Sequence, residues 1–273
     1  MSSILTNNSA MVALATLNNV NRGLNETQNR VSSGLQVRSG KENAAYFAIS
    51  ETMKGDSGMF KAINEGMTST KNSVATARLG AETVSDLAES FVERVAFAQG
   101  NGINTADVQL ELDSLVAQIG SAISQSTFNG DNLVDSTSTV SVVTGVSRAS
   151  GSFALTTIDI TEVDLGAIQT TLAAIDVSTS TDLVADLSTA EGALADAITA
   201  ATSLGVSEKT LDGQMMFLES LTDTLDTGIS AMVDADMEEE AARLQAFQVQ
   251  QQLATQSLSI ANQAPQNILS LFR

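Results

Sequence analysis

The chain has 273 residues, enough for one to three domains and a sizeable core, with no Cys, His or Trp, a single Tyr (Tyr46) and a single Pro (Pro265). The absence of Cys excludes disulfides, thiolate metal sites and thiol nucleophiles, and the absence of His removes the commonest acid–base group and transition-metal ligand. The net charge of −19 argues against a nucleic-acid partner.

That charge is unevenly spread. Residues 1–46 carry four basic and two acidic groups, and residues 241–273 carry two basic and none acidic. The centre, 47–240, holds 30 acidic and 7 basic groups. Nearly neutral ends around an acidic middle imply two environments, the ends packed against protein and the middle facing solvent. The first 30 residues lack a basic start and a continuous apolar run, so a Sec-type signal peptide is not expected. No apolar run reaches the ~18–20 residues of a membrane span.

A nearly Pro-free chain favours long helices, since an internal Pro costs roughly 3 kcal/mol. The first helical stretch has a weak seam: Leu14, Leu17, Asn21, Leu24, Gln28, Val31 and Leu35. Polar seam residues lower stability and help to fix register, so this segment alone is marginal in water. Ser32, Ser33, Gly34, Ser39 and Gly40 mark an irregular stretch. A strong heptad run follows from Ile63 through Val74, Ala81, Ala88 and Val95 to Ala98. Its ~37 residues span ~55 Å, too long for the core of a compact small domain. A second helix carries Val108, Leu112, Leu115, Ile119 and Ala122, and is expected to end near Phe128-Asn129-Gly130, where Asn-Gly is a turn signal.

The middle changes character. Thr139–Val143 and Phe153–Thr157 are β-branched or alternating, with Gly145 and Gly151 between them, and read as a small β-hairpin. Helical spacing returns from Leu183 to Leu204, with Gly205 as its expected end, and again from Leu211 to Met232. The tail is Gln-rich, with apolar spacing at Ala242, Ala246, Val249, Leu253 and Ile260. The expected fold is mainly α: an elongated helical bundle with long heptad helices, the N- and C-terminal helices paired as a coiled coil, and a small β-hairpin insert.

Chemistry-bearing clusters are few. The acidic run Asp234, Asp236, Glu238, Glu239 and Glu240 lacks the Gly and terminal Glu of a calcium loop, and fits the first turn of a helix instead. No spacing singles out a catalytic carboxylate pair, and no Gly-rich phosphate loop occurs. The methionines read as adaptable core residues. The chain is expected to be a structural protein and not an enzyme, with no cofactor and no metal.

Val31-Ser32-Ser33-Gly34-Leu35, followed by Ser39-Gly40-Lys41-Glu42-Asn43-Ala44-Ala45, resembles the signature of bacterial flagellin. The C-terminus is more specific: Ser259 through Asn262, Gln263, Pro265 and Gln266 to Arg273 is similar to the family ending almost residue for residue. Ser126-Thr127-Phe128-Asn129-Gly130 and Asp234-Ala235-Asp236 with Glu240 carry two further likenesses. Together they cover roughly 1–135 and 205–273, leaving about 70 residues of unmatched middle.

The resemblance implies a short flagellin whose variable region is reduced to a hairpin and a short helix. It implies a paired inner coil (D0) from 1–45 and 236–273, an outer bundle (D1) from 46–135 and 181–235, and a variable insert over 136–180. It implies a secreted subunit of the extracellular bacterial flagellum, exported unfolded by the flagellar type III route and assembled at the distal tip into a homopolymeric helical filament for swimming motility. The implied partners are other copies of the chain, a flagellar export chaperone, and junction and cap proteins; the alternative function is a hook–filament junction protein. The expected assembly seam sets Leu14, Leu17, Leu24, Val31 and Leu35 against Val249, Leu253, Leu258, Ile260 and Leu269. Some flagellins are sensed by a host innate receptor through the helix corresponding to 91–99. Arg94 and Gln99 match that motif, but Val92 and Val95 replace an Arg and a Glu, so weak or absent recognition is expected.

Overall fold

The computed structural model describes residues 7–147 and 154–270, with side chains through Gln263. The element order is α1 (Asn8–Ser33), α2 (Ala44–Ala98), α3 (Thr105–Gln125), β1 (Thr139–Ser147), β2 (Ala154–Thr161), α4 (Leu165–Ala173), α5 (Leu183–Val233) and α6 (Met237–Ser270). The chain forms two compact units. One comprises residues 1–56 with 224–273, the other residues 57–223. Helices α2 and α5 contribute residues to both.

The central unit holds a dense apolar core. Along α2 the buried positions are Met67, Val74, Ala77, Ala81, Val84, Ala88, Phe91, Val95 and Ala98, the row that heptad spacing selects. Leu112 and Ile119 of α3 and Leu204, Leu211 and Leu218 of α5 close the same cluster. Each buried Val, Leu, Ile, Phe or Met side chain among them contributes about 1.5–3 kcal/mol by leaving water. Between α2 and α5, Arg78 Nε pairs with Glu208 at 2.8 Å and Lys71 with Asp212 at 2.6 Å.

The helix runs longer than local signals suggest. Gly205 was expected to end a helix, but α5 continues through it to Val233. A mid-helix Gly costs about 1 kcal/mol. Burial of Leu204 and Leu211 on either side outweighs that. Likewise α2 starts at Ala44 and not near Ile63, because Asn43 caps it: its Oδ1 accepts from the N–H groups of Ala45 and Tyr46 at 3.1 Å.

At the end of α3, Asn129 and Gly130 take positive φ values of 53° and 93°. Phe128 and Asp131 exchange both backbone hydrogen bonds across them. This is the two-residue turn that Asn-Gly favours. The neighbouring Ser126 packs against Gly80 of α2, where any Cβ would collide with its hydroxyl.

Strands β1 and β2 pair antiparallel, Thr139 opposite Thr161 and Ser147 opposite Ala154. Gly145 was expected between the strands but lies within β1, beside a bulge at Thr144. A Cβ there would stand 2.9 Å from Thr156 Oγ1. The bulged carbonyl of Thr144 accepts from Gln214 Nε2 of α5 at 3.0 Å. Phe153 and Gly151 lie outside the described residues. The short helix of the middle is α4, which the sequence pattern did not place. Asp164 caps it, and Leu165, Ile168 and Leu172 are buried at helical spacing.

Candidate assembly site at the paired chain ends

The unit formed by the two ends is built on one antiparallel helix pair. Asn7 caps α1, its Oδ1 accepting from Ala10 N–H, and its Nδ2 donates to Ala261 O at 2.7 Å. Farther along, Gln251 Nε2 donates to Asn21 Oδ1 at 2.7 Å, and Arg30 pairs with Glu240 at 3.2 Å. Rising numbers on α1 thus meet falling numbers on α6. The inward row of α1 includes Ala13, Leu17, Val20, Leu24 and Thr27. That of α6 is Glu240, Leu244, Phe247, Gln251, Ala254 and Leu258, spaced four and three throughout.

The junction below the pair is a backbone clasp. Gly34 closes α1 in the left-handed region with φ 72°, its N–H returning to Arg30 O. Its carbonyl accepts from Ala235 N–H at 2.9 Å, and Leu35 bridges Asp234. Val233 O accepts from both Gln36 and Val37 N–H. Asp236 caps α6 through the N–H groups of Glu238 and Glu239. The acidic run is therefore a helix start, where the macrodipole favours negative charge. Two sequence signatures some 200 residues apart meet here, Ser33-Gly34-Leu35 and Asp234-Ala235-Asp236.

Among the described residues, Glu240 is the buried charge of this unit. Arg30 and Arg243 both reach its Oε1 at 3.2 Å, while Oε2 is buried without a hydrogen-bond partner. Nearby, the Arg38 N–H, helped by the Arg38 guanidinium and the charge of Arg30, holds the Glu42 carboxyl below its ordinary value against the effect of burial.

The expected seam residues divide. Leu24 is buried, and Leu17, Val31, Leu35 and Leu258 are half-buried. Leu14 is exposed, as are Val249 (55%), Leu253 (57%) and Ile260 (69%). On α6 the apolar row that the spacing picks out, from Ala242 to Ile260, is exposed, Leu253 bordering the groove beside α1. Leu14, Val249, Leu253 and Ile260 are thus left largely in water within one chain. A groove of 320 Å³ runs between the helices, lined by Ala13, Thr16, Val20, Gln250, Leu253, Ala254 and Ser257.

Among the signature residues, Ser32, Ser33, Ala44, Ala45, Asn262 and Gln263 are exposed. Pro265, Gln266 and Leu269 lie on α6 beyond the described side chains, and Arg273 lies outside the described residues. Sequence reading missed the contacts of Gly23, Phe247, Gln251 and Arg30. A Gly in mid-helix and the single aromatic between Met237 and Gln263 were the available signals. Among the described residues no helix is long and apolar enough to cross a membrane.

A helical protein whose two ends meet in one unit, with an apolar row left in water, belongs to the class of self-assembling structural subunits. Residues 4–139 match the family model described as the bacterial flagellin N-terminal helical region, and residues 187–272 the flagellin C-terminal helical region. The chain is 36% identical to a flagellin of Brucella melitensis over the whole of both chains. It is 34% identical to flagellin FljM of Caulobacter vibrioides, over all of this chain and 99% of that one. A putative flagellar hook-associated protein from Vibrio parahaemolyticus shares the fold, with a TM-score of 0.54, 14% identity, and coverage of 71% of this chain and 100% of the other. The chain belongs to the bacterial flagellin family and is a subunit of the flagellar filament.

Proposed function

We propose that this flagellin is secreted unfolded through the flagellar type III apparatus and adds to the distal tip, where its ends fold against neighbouring copies. The two ends form the inner coil and the flanking heptad helices the outer bundle. In this reading the residues that carry assembly are Leu14, Leu17, Leu24, Val31 and Leu35 with Val249, Leu253, Leu258, Ile260 and Leu269. Those facing α1 and α6 within one chain organise the subunit, and those left outside meet the next one. An export chaperone would cover the apolar rows before release, and junction and cap proteins would bound the filament.

The observation that supports this reading is the uncovered row Val249, Leu253 and Ile260 on a helix whose other face is already paired. Isolated exposed Leu residues are ordinary, whereas a heptad-spaced row on a paired helix lacks half of its packing. Removing residues 241–273 is expected to abolish seeded filament growth, seen by negative-stain electron microscopy, while circular dichroism of the central helices persists. Filaments from the truncated chain would defeat the proposal. A full-length chain that stops at small oligomers would favour the junction-protein reading.

A further inference from the structure

The apolar part of the α1–α6 seam does not choose its own register. Leu17 and Leu24 on α1, and Leu244 and Leu258 on α6, recur at heptad distances. Sliding one helix by seven residues therefore offers a similar apolar row to its partner. Besides the Asn7–Ala261 and Arg30–Glu240 contacts at its ends and the clasp at its base, two features in the middle of the seam discriminate. Gln251 and Asn21 share a hydrogen bond of 2.7 Å in the middle of the seam. A slip of one heptad would set Asn21 against Leu244 or Leu258, stranding a half-buried amide. Beside this pair the Phe247 ring rests on Gly23, where a Cβ would stand 2.7 Å from the ring tip. The same slip would bring the ring onto Thr16 or Arg30, which have side chains in the way.

We infer that Asn21 and Gln251, with the Gly23–Phe247 notch, are register-setting residues for assembly. Together with the clasp and the Arg30–Glu240 pair, they hold the one axial alignment of the chain ends that positions the outward row of Val249, Leu253 and Ile260 for a second copy of this chain. The inference rests on the assembly reading proposed above. Its mechanical basis is simple: a heptad slip moves that row by about 10 Å along the helix axis, so a slipped copy presents the wrong surface to the next. A polar pair in an otherwise apolar seam trades stability for uniqueness of alignment.

The test uses the full-length chain with Asn21→Leu and Gln251→Leu together, which removes the hydrogen bond and leaves no orphaned amide. A second variant exchanges the two residues, Asn21→Gln with Gln251→Asn. Seeded elongation, heat resistance of the filaments and cross-linking within them are measured. For the last, thiols are placed at Ala13 and Ser257, which line the same groove, and joined by a short bis-maleimide. The double-Leu chain is expected to elongate about tenfold more slowly on wild-type seeds, the scale set by losing the penalty that a mispaired amide places on slipped registers. Its filaments should cross-link less completely yet resist heat better, since more apolar surface is buried. The exchanged pair should restore growth.

Three outcomes would overturn the inference. One is wild-type growth and cross-linking of the double-Leu chain. Another is slow growth with undiminished cross-linking, which would place the effect elsewhere than in register. The third is failure of both variants alike. Failure of the assembly reading itself shows separately, as filament growth from a chain lacking 241–273.

Discussion

The ends and the centre of this chain are written in the same heptad period, yet they fold to different degrees of completeness. In the central unit the row from Met67 to Ala98 faces inward, and Phe91, Leu112 and Leu204 are fully buried. In the terminal unit the seam is made of Ala13, Thr27, Gln251 and Ala254 beside a few larger residues, and Val249, Leu253 and Ile260 remain in water. The centre satisfies itself within one subunit. The ends are only half satisfied, and in the proposed assembly neighbouring copies supply the missing half. A period sets which residues share a face; it does not set whether that face finds a partner inside the chain.

The sharpest way to break this contrast is to truncate one large side chain in each region. Phe91→Ala should lower the stability of the monomer by about 3–5 kcal/mol, measured by urea denaturation, because it empties a fully buried site. Leu253→Ala should stay within about 0.5 kcal/mol in the same experiment while slowing seeded filament growth. Equal losses of monomer stability would show that the ends are as self-sufficient as the centre.

A smaller effect is expected at the clasp. Arg30→Ala removes one of the two cations on Glu240 and leaves a buried carboxylate poorly compensated. The terminal unit should lose about 1–3 kcal/mol, with little change in the centre. Hydrogen exchange resolved along the chain would separate the two, and protection lost uniformly would contradict the division into units. The buried Oε2 without a partner makes Glu240→Gln the natural companion, since it keeps the shape and removes the charge.

The smallest effect concerns pH. Glu42 titrates below its ordinary value of 4.5 in the folded chain because the Arg38 N–H and guanidinium hold its charged form. Such a group contributes stability that is complete above the unfolded value and is lost as pH falls through the lower, folded one. The Arg38 amide proton resonance should therefore shift with an inflection below 4.5. An inflection at or above that value would mean that the turn from Arg38 to Glu42 does not form in solution.

The same core places residues 91–99, the stretch that corresponds to the receptor-sensed helix of some flagellins. Phe91, Val95 and Ala98 face inward, and Arg94 pairs with Glu111 across the surface at 3.1 Å. Val95 thus stands at a core position, and the expectation of weak recognition rests on the sequence differences at Val92 and Val95.

The sequence by itself determined the long helices, the Asn129-Gly130 turn, the hairpin and the terminal signatures. Each is encoded locally, by a repeat of three and four residues, by a turn dipeptide or by alternation. Tertiary structure decided what local patterns leave open. It carried α5 through Gly205, because burial on both sides outweighs the propensity of one glycine. It placed Gly145 inside a strand, because Thr156 needed the space. On α6 it chose between two faces of equal period. Spacing favoured the more apolar row of Val249, Leu253 and Ile260, but α1 covers Leu244, Phe247, Gln251 and Leu258 instead. The reason is fit: Phe247 has a glycine to lie on, Gln251 has an amide to bond, and Glu240 has Arg30 within reach.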